Sequence, residues 1–67
     1  MNLIEGLQQE ANRRRELLKK YEAIGPAGIF GATFLKIDIE RAEKAIAGND
    51  IFEMIAVYKE LSEEDIE

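Results

Sequence analysis

Gly25-Pro26-Ala27-Gly28-Ile29-Phe30-Gly31 divides the 67-residue chain. On either side the apolar residues recur at helical spacing, and within it three glycines and the chain's single proline interrupt the pattern. Gly25 followed by Pro26 ends the preceding segment near Ile24. Pro26 fits the first position of a helix, but Gly28 and Gly31 place the expected start of the next helix near Ala32. A short break between two long periodic segments implies a helical hairpin.

Before the break, Leu3, Ile4, Leu7, Ala11, Leu18 and Tyr21 fall three and four residues apart, which makes one apolar stripe on a helix. Asn2 is placed to cap it, because its side chain can accept from the free amides of the first turn. After the break, Phe34, Leu35, Ile39, Ala42, Ala45 and Ile46 share one broad face. The small residues Ala42, Ala45 and Ala47 allow a neighbouring helix to approach closely, and Gly48 is expected to close this helix in the left-handed conformation. A third helix opens at Asn49-Asp50, with Asp50 as cap and Glu53 at capping-box spacing. Its stripe comprises Ile51, Met54, Ile55, Tyr58 and Leu61, widened by Phe52 and Val57. So wide an arc is expected to touch more than one neighbour.

The expected fold is all-α: a three-helix antiparallel bundle, or a helical hairpin plus a third helix, completed by dimerisation. Residues 1–61 form the single domain, and residues 62–67 an acidic C-terminal tail that folding should not need. A chain this short buries only ~60% of the surface exposed by its unfolded form. Leu3, Ile4, Ile29, Phe30, Phe52, Val57 and Ile66 lie beyond one compact stripe per helix, and surplus apolar surface marks an interface. Ile29, Phe30, Phe52 and Val57 are therefore the candidate interface residues, and a homodimer or a protein partner is expected.

Composition removes much of the functional menu. Cysteine and histidine are both absent, which takes away thiolate and imidazole ligands, disulfides and the usual general base near neutral pH. No nucleophile–base pair can be assembled, so the expectation is a non-enzyme with no cofactor and no metal. The net charge of −5 is uneven: residues 50–67 hold seven acids against Lys59 alone, while the rest is close to neutral. An acidic end repels nucleic-acid phosphate. Arg13-Arg14-Arg15 with Lys19 and Lys20 is the one basic cluster, and a nucleic-acid contact through residues 13–20 is a minor alternative to an ordinary solvated face. No stretch reads as a signal peptide or membrane span, so the expected compartment is the cytoplasm.

Three further patterns carry chemistry only under special conditions. The Gly25-x-x-Gly28-x-x-Gly31 spacing lacks the Lys-Ser/Thr ending of a phosphate loop, since Ala32 and Thr33 follow it, and a tight interhelical turn explains it. Glu40 and Glu43 sit beside Arg41 and Lys44 and read as surface charge. The informative anomaly is polar residues inside apolar stripes: Glu10 and Arg14 on the first helix, Asp38 on the second. If the hairpin is antiparallel, Arg14 and Asp38 stand at similar heights. They then form a structural ion-pair network, or line a site for a small molecule or a partner.

Overall fold

The computed structural model describes residues 2–64 and contains three α-helices: α1 (Leu3–Ile24), α2 (Ile29–Gly48) and α3 (Ile51–Glu63), with a single 3-10 turn at Pro26–Gly28. No strand occurs among the described residues. Ile66 and the rest of residues 65–67 lie outside them.

Local chemistry explains most boundaries. The Asn2 side chain accepts from the Glu5 amide at 2.8 Å and starts α1. Gly25, at φ 86°, ends it in a conformation that suits glycine. Asp50 starts α3 by accepting from the Phe52 and Glu53 amides at 3.0 and 3.5 Å. Two expectations need correction. The helix after the break begins at Ile29, not Ala32, because Gly28 and Gly31 serve close approach to α1 rather than chain breaking. A Cβ on Gly28 would collide with the Tyr21 carbonyl, and one on Gly31 would lie 3.2 Å from the Tyr21 ring. At the other end Gly48 is still helical, and the left-handed residue is Asn49 at φ 52°, whose amide bonds the Ile46 carbonyl at 3.2 Å. Asparagine is the residue after glycine that best tolerates this conformation.

α1 and α2 pack antiparallel, and α3 returns beside both, running in the direction of α1. Gly6 of α1 faces Tyr58, and Arg14, further along α1, meets Leu61 and Glu64. Leu7 and Ala11, Ala42 and Ala45, and Met54, Val57 and Leu61 form one buried cluster, to which each helix contributes. Small alanines at the α2 contact draw the three axes together.

Val57 was expected at an interface; it is instead 2% exposed in this cluster. Met54, Val57 and Leu61 fall at three- and four-residue spacing and form the inward stripe of α3, which turns Ile51, Phe52 and Ile55 outward. Phe34 was expected on the buried face of α2, yet Ala32, Leu35, Ile39, Ala42 and Ala45 hold that face and Phe34 is 68% exposed.

Length determines what α3 can cover. Its 13 residues span ~20 Å, against ~33 Å for the 22 of α1. The molecule measures 37 × 19 × 15 Å along its principal axes. α3 therefore overlies the half of the hairpin around Leu7 and Ala45. Among the described residues, none of α3 overlies the rest of the hairpin, toward Ile24 and Ile29.

Candidate functional site

Glu10, Arg14 and Asp38, the three polar residues within apolar stripes, come together in space. Arg14 is 0% exposed. It lies one helical turn from Glu10 on α1, and the antiparallel hairpin brings Asp38 of α2 opposite. Its Nη1 donates to the Glu10 side chain at 2.8 Å and to the Glu10 carbonyl at 3.1 Å. Nε donates to Asp38 at 3.4 Å. Nη2 donates to the Leu61 carbonyl at 2.9 Å and to the Glu64 carboxylate at 3.0 Å. A guanidinium has five N–H donors, and each has an acceptor here. Among the described residues no buried side-chain polar atom lacks a partner.

Leu61 and Glu64 are the members that sequence reasoning missed. The acidic stretch from Ser62 is expected to fray or to add one loose turn; α3 continues through Ser62 and Glu63, and Glu64 turns back onto Arg14. The last turn of α3 contains no basic residue, so the negative end of that helix needed a cation from elsewhere. Arg14 of α1 supplies it by bonding the Leu61 carbonyl, which also accepts the Glu64 amide at 3.3 Å.

The carboxylates around Arg14 are not equivalent. Burial, with the hydrogen bond to Glu64 and repulsion from its charge, raises the Asp38 carboxyl above the ordinary aspartate range, and the pull of Arg14 only partly offsets this. Glu64 shifts the other way: burial pushes it up, but hydrogen bonds from Asp38 and Arg14 and the attraction of Arg14 and Arg41 outweigh that push. Burial disfavours the Arg14 charge, yet its hydrogen bonds to Glu10 and Glu64 and the attraction of Glu64 and Asp38 hold its pKa above the usual arginine value. At the rim Arg13 reaches Glu10 at 3.3 Å, and Arg41 pairs with Glu60 of α3 and approaches Asp38 at 3.9 Å.

The other basic residues are dispersed. Arg15 pairs with Glu43 at 3.1 Å and Lys19 with Glu16 at 3.2 Å. With Arg14 inside and Arg13 on Glu10, residues 13–20 present no continuous basic face. Glu40 is held by Lys44 at 2.8 Å, and no metal-binding group of side chains occurs among the described residues. No helix among the described residues is long and apolar enough to cross a membrane.

Two apolar patches face outward. Phe30, Phe34 and Ile37, at i, i+4 and i+7, form a stripe on α2, 79%, 68% and 48% exposed. Arg41, the next residue along that stripe, is the one that meets Glu60 of α3. The stripe therefore lies toward the α3 side of α2, on the hairpin half that α3 does not reach. Ile51, Phe52 and Ile55 form the second patch, on the outer face of α3, where Phe52 is 81% exposed. Of the expected interface residues, Ile29, Phe30 and Phe52 are exposed and Val57 is not. Ile29 sits apart from the stripe, on the side of α2 that carries Lys36 and faces Glu22.

Comparison of the chain with protein-family models, with curated proteins and with solved structures gives no match.

Proposed function

We propose that this chain is a small, non-catalytic helical interaction module of the cytoplasm that works by self-association as a homodimer. The observation that carries the reading is the bare half of the hairpin, with Phe30, Phe34 and Ile37 open to water in one stripe. Contiguous apolar surface of this kind is characteristic of interfaces rather than of free monomers. Most oligomers formed by a single kind of chain are two-fold dimers.

The internal use of the polar cluster supports the same reading. Every Arg14 N–H is occupied within the chain, so this guanidinium offers no free donor to a small molecule. A nucleic-acid surface needs a basic face, whereas Arg13, Arg15 and Lys19 are each matched to an acid.

Multi-angle light scattering at micromolar concentration tests the proposal. The expected mass is twice the 7.6 kDa of one chain, and Phe34→Glu should restore the single-chain mass with helicity unchanged. A wild-type monomer at every concentration, with a melting temperature independent of concentration, would overturn it.

A further inference from the structure

The bare hairpin half and the outer face of α3 have complementary properties. Building on the self-association reading, we propose that each is the other's partner. In the dimer, α3 of one copy lies on the bare half of its partner's hairpin, and the contact is made twice about a two-fold axis. Ile51, Phe52 and Ile55 of each chain meet Phe30, Phe34 and Ile37 of the other. The two α3 helices then form a central layer between two hairpins.

Three properties of the chain select this occupant. The first is length. Two α3 helices end to end span ~40 Å, which matches the 37 Å long axis of the molecule, so one layer covers both hairpins along their length.

The second is charge. Residues 17–37, the bare half, carry Lys19, Lys20 and Lys36 against Glu22, for a net +2. Residues 50–64 carry five acids against Lys59, for a net −4. Two hairpin ends repel one another, whereas a hairpin end attracts α3, and this attraction acts against the repulsion of the two acidic α3 ends, which meet at the two-fold axis.

The third is area. An aromatic side chain presents ~200 Å². Phe30, Phe34 and Phe52, exposed by 79%, 68% and 81%, thus offer on the order of 450 Å² per chain. The reciprocal contact covers all three in both copies, about 900 Å² from phenylalanine alone. With the isoleucines it reaches the ~1,200 Å² at which specific interfaces begin. Packing hairpin end on hairpin end would leave both copies of Phe52 in water.

The test uses Phe34→Glu and Phe52→Glu, both at exposed positions, with circular dichroism as the check on folding. Each should weaken the dimer by at least about tenfold, as expected for an aromatic residue central to an interface. The absence of cysteine allows a second measurement. Phe34→Cys and Phe52→Cys chains, treated with a short bifunctional maleimide, should cross-link more when mixed than when either is alone. A Phe52→Glu chain that still dimerises as wild type, or Phe34→Cys chains that link mainly to themselves, would overturn the arrangement while leaving self-association intact. A monomeric wild-type chain would overturn both.

Discussion

Arg14 occupies a position where an aliphatic residue would complete the α1 stripe, and it joins all three helices there. Its removal takes the buried cation from Glu10, Asp38 and Glu64 at once, leaving Glu10 only Arg13 at the rim and Asp38 only Arg41 at 3.9 Å. Breaking one side of a buried ionic network costs ~3–5 kcal/mol, and a chain of 67 residues has only about 3–10 kcal/mol in all. Arg14→Met is therefore expected to unfold much of the population, as read from the urea midpoint. Asp38→Asn should behave differently. The raised Asp38 pKa means that its charged form is disfavoured in the fold, so the amide should match or exceed wild-type stability at pH 7. The sign fixes the pH dependence. A carboxyl raised in the fold contributes stability below its unfolded pKa and loses it as pH rises through the folded value. The advantage of Asp38→Asn should thus shrink as pH falls and the wild-type carboxyl takes up its proton. Melting curves of both chains between pH 7 and pH 3 would read this. A constant gap would show that Asp38 titrates as an ordinary surface aspartate. The Glu10–Arg14–Asp38 grouping was legible because stripe positions and hairpin register place those residues together. Glu64 was not, because a run of acids looks alike whether it frays or folds back, and only Arg14 distinguishes the two.

The elements were legible to the degree that their signals are local. Asn2 and Asp50 each cap the next turn of the chain, so nothing distant alters them. The rotation of α3 is a different case. Apolar residues surround most of its circumference, and the Ile51–Ile55 and Met54–Val57–Leu61 stripes are equally periodic. Contact with α1 and α2 selects the second. Glycine was ambiguous for a similar reason: the same residue breaks a helix or allows another to approach. Gly28 does the latter, and it makes a sharp test. Its φ of −91° is open to any residue, so only the collision with the Tyr21 carbonyl opposes a methyl group there. Gly28→Ala should cost ~1–3 kcal/mol, the range for overpacking against a rigid neighbour, and should lower the thermal midpoint. A midpoint at or above wild type would mean that the turn relaxes freely.

Over the whole molecule, charge and apolar surface are distributed along the long axis rather than evenly. A net +2 hairpin end and a net −4 α3 occupy different halves of it. Association between unlike ends weakens as salt screens them, since the screening length falls from ~10 Å at 0.1 M to ~3 Å at 1 M. The dimer dissociation constant, measured by analytical ultracentrifugation, should rise severalfold across that range. A constant that falls instead would show that repulsion between like charges outweighs the attraction of α3 for the hairpin end. The link from Arg14 to the Leu61 carbonyl bears on how the chain folds. A helix of 13 residues is marginal in water by itself, and α3 ends in glutamates that oppose its own dipole. The cation that relieves this belongs to α1, 47 residues earlier in the chain. A peptide of α3 alone is accordingly a poor helix, and local stability cannot accumulate one helix at a time. Formation of the last turn of α3 and closure of the tertiary structure are one event, which makes the transition of this small chain all-or-none.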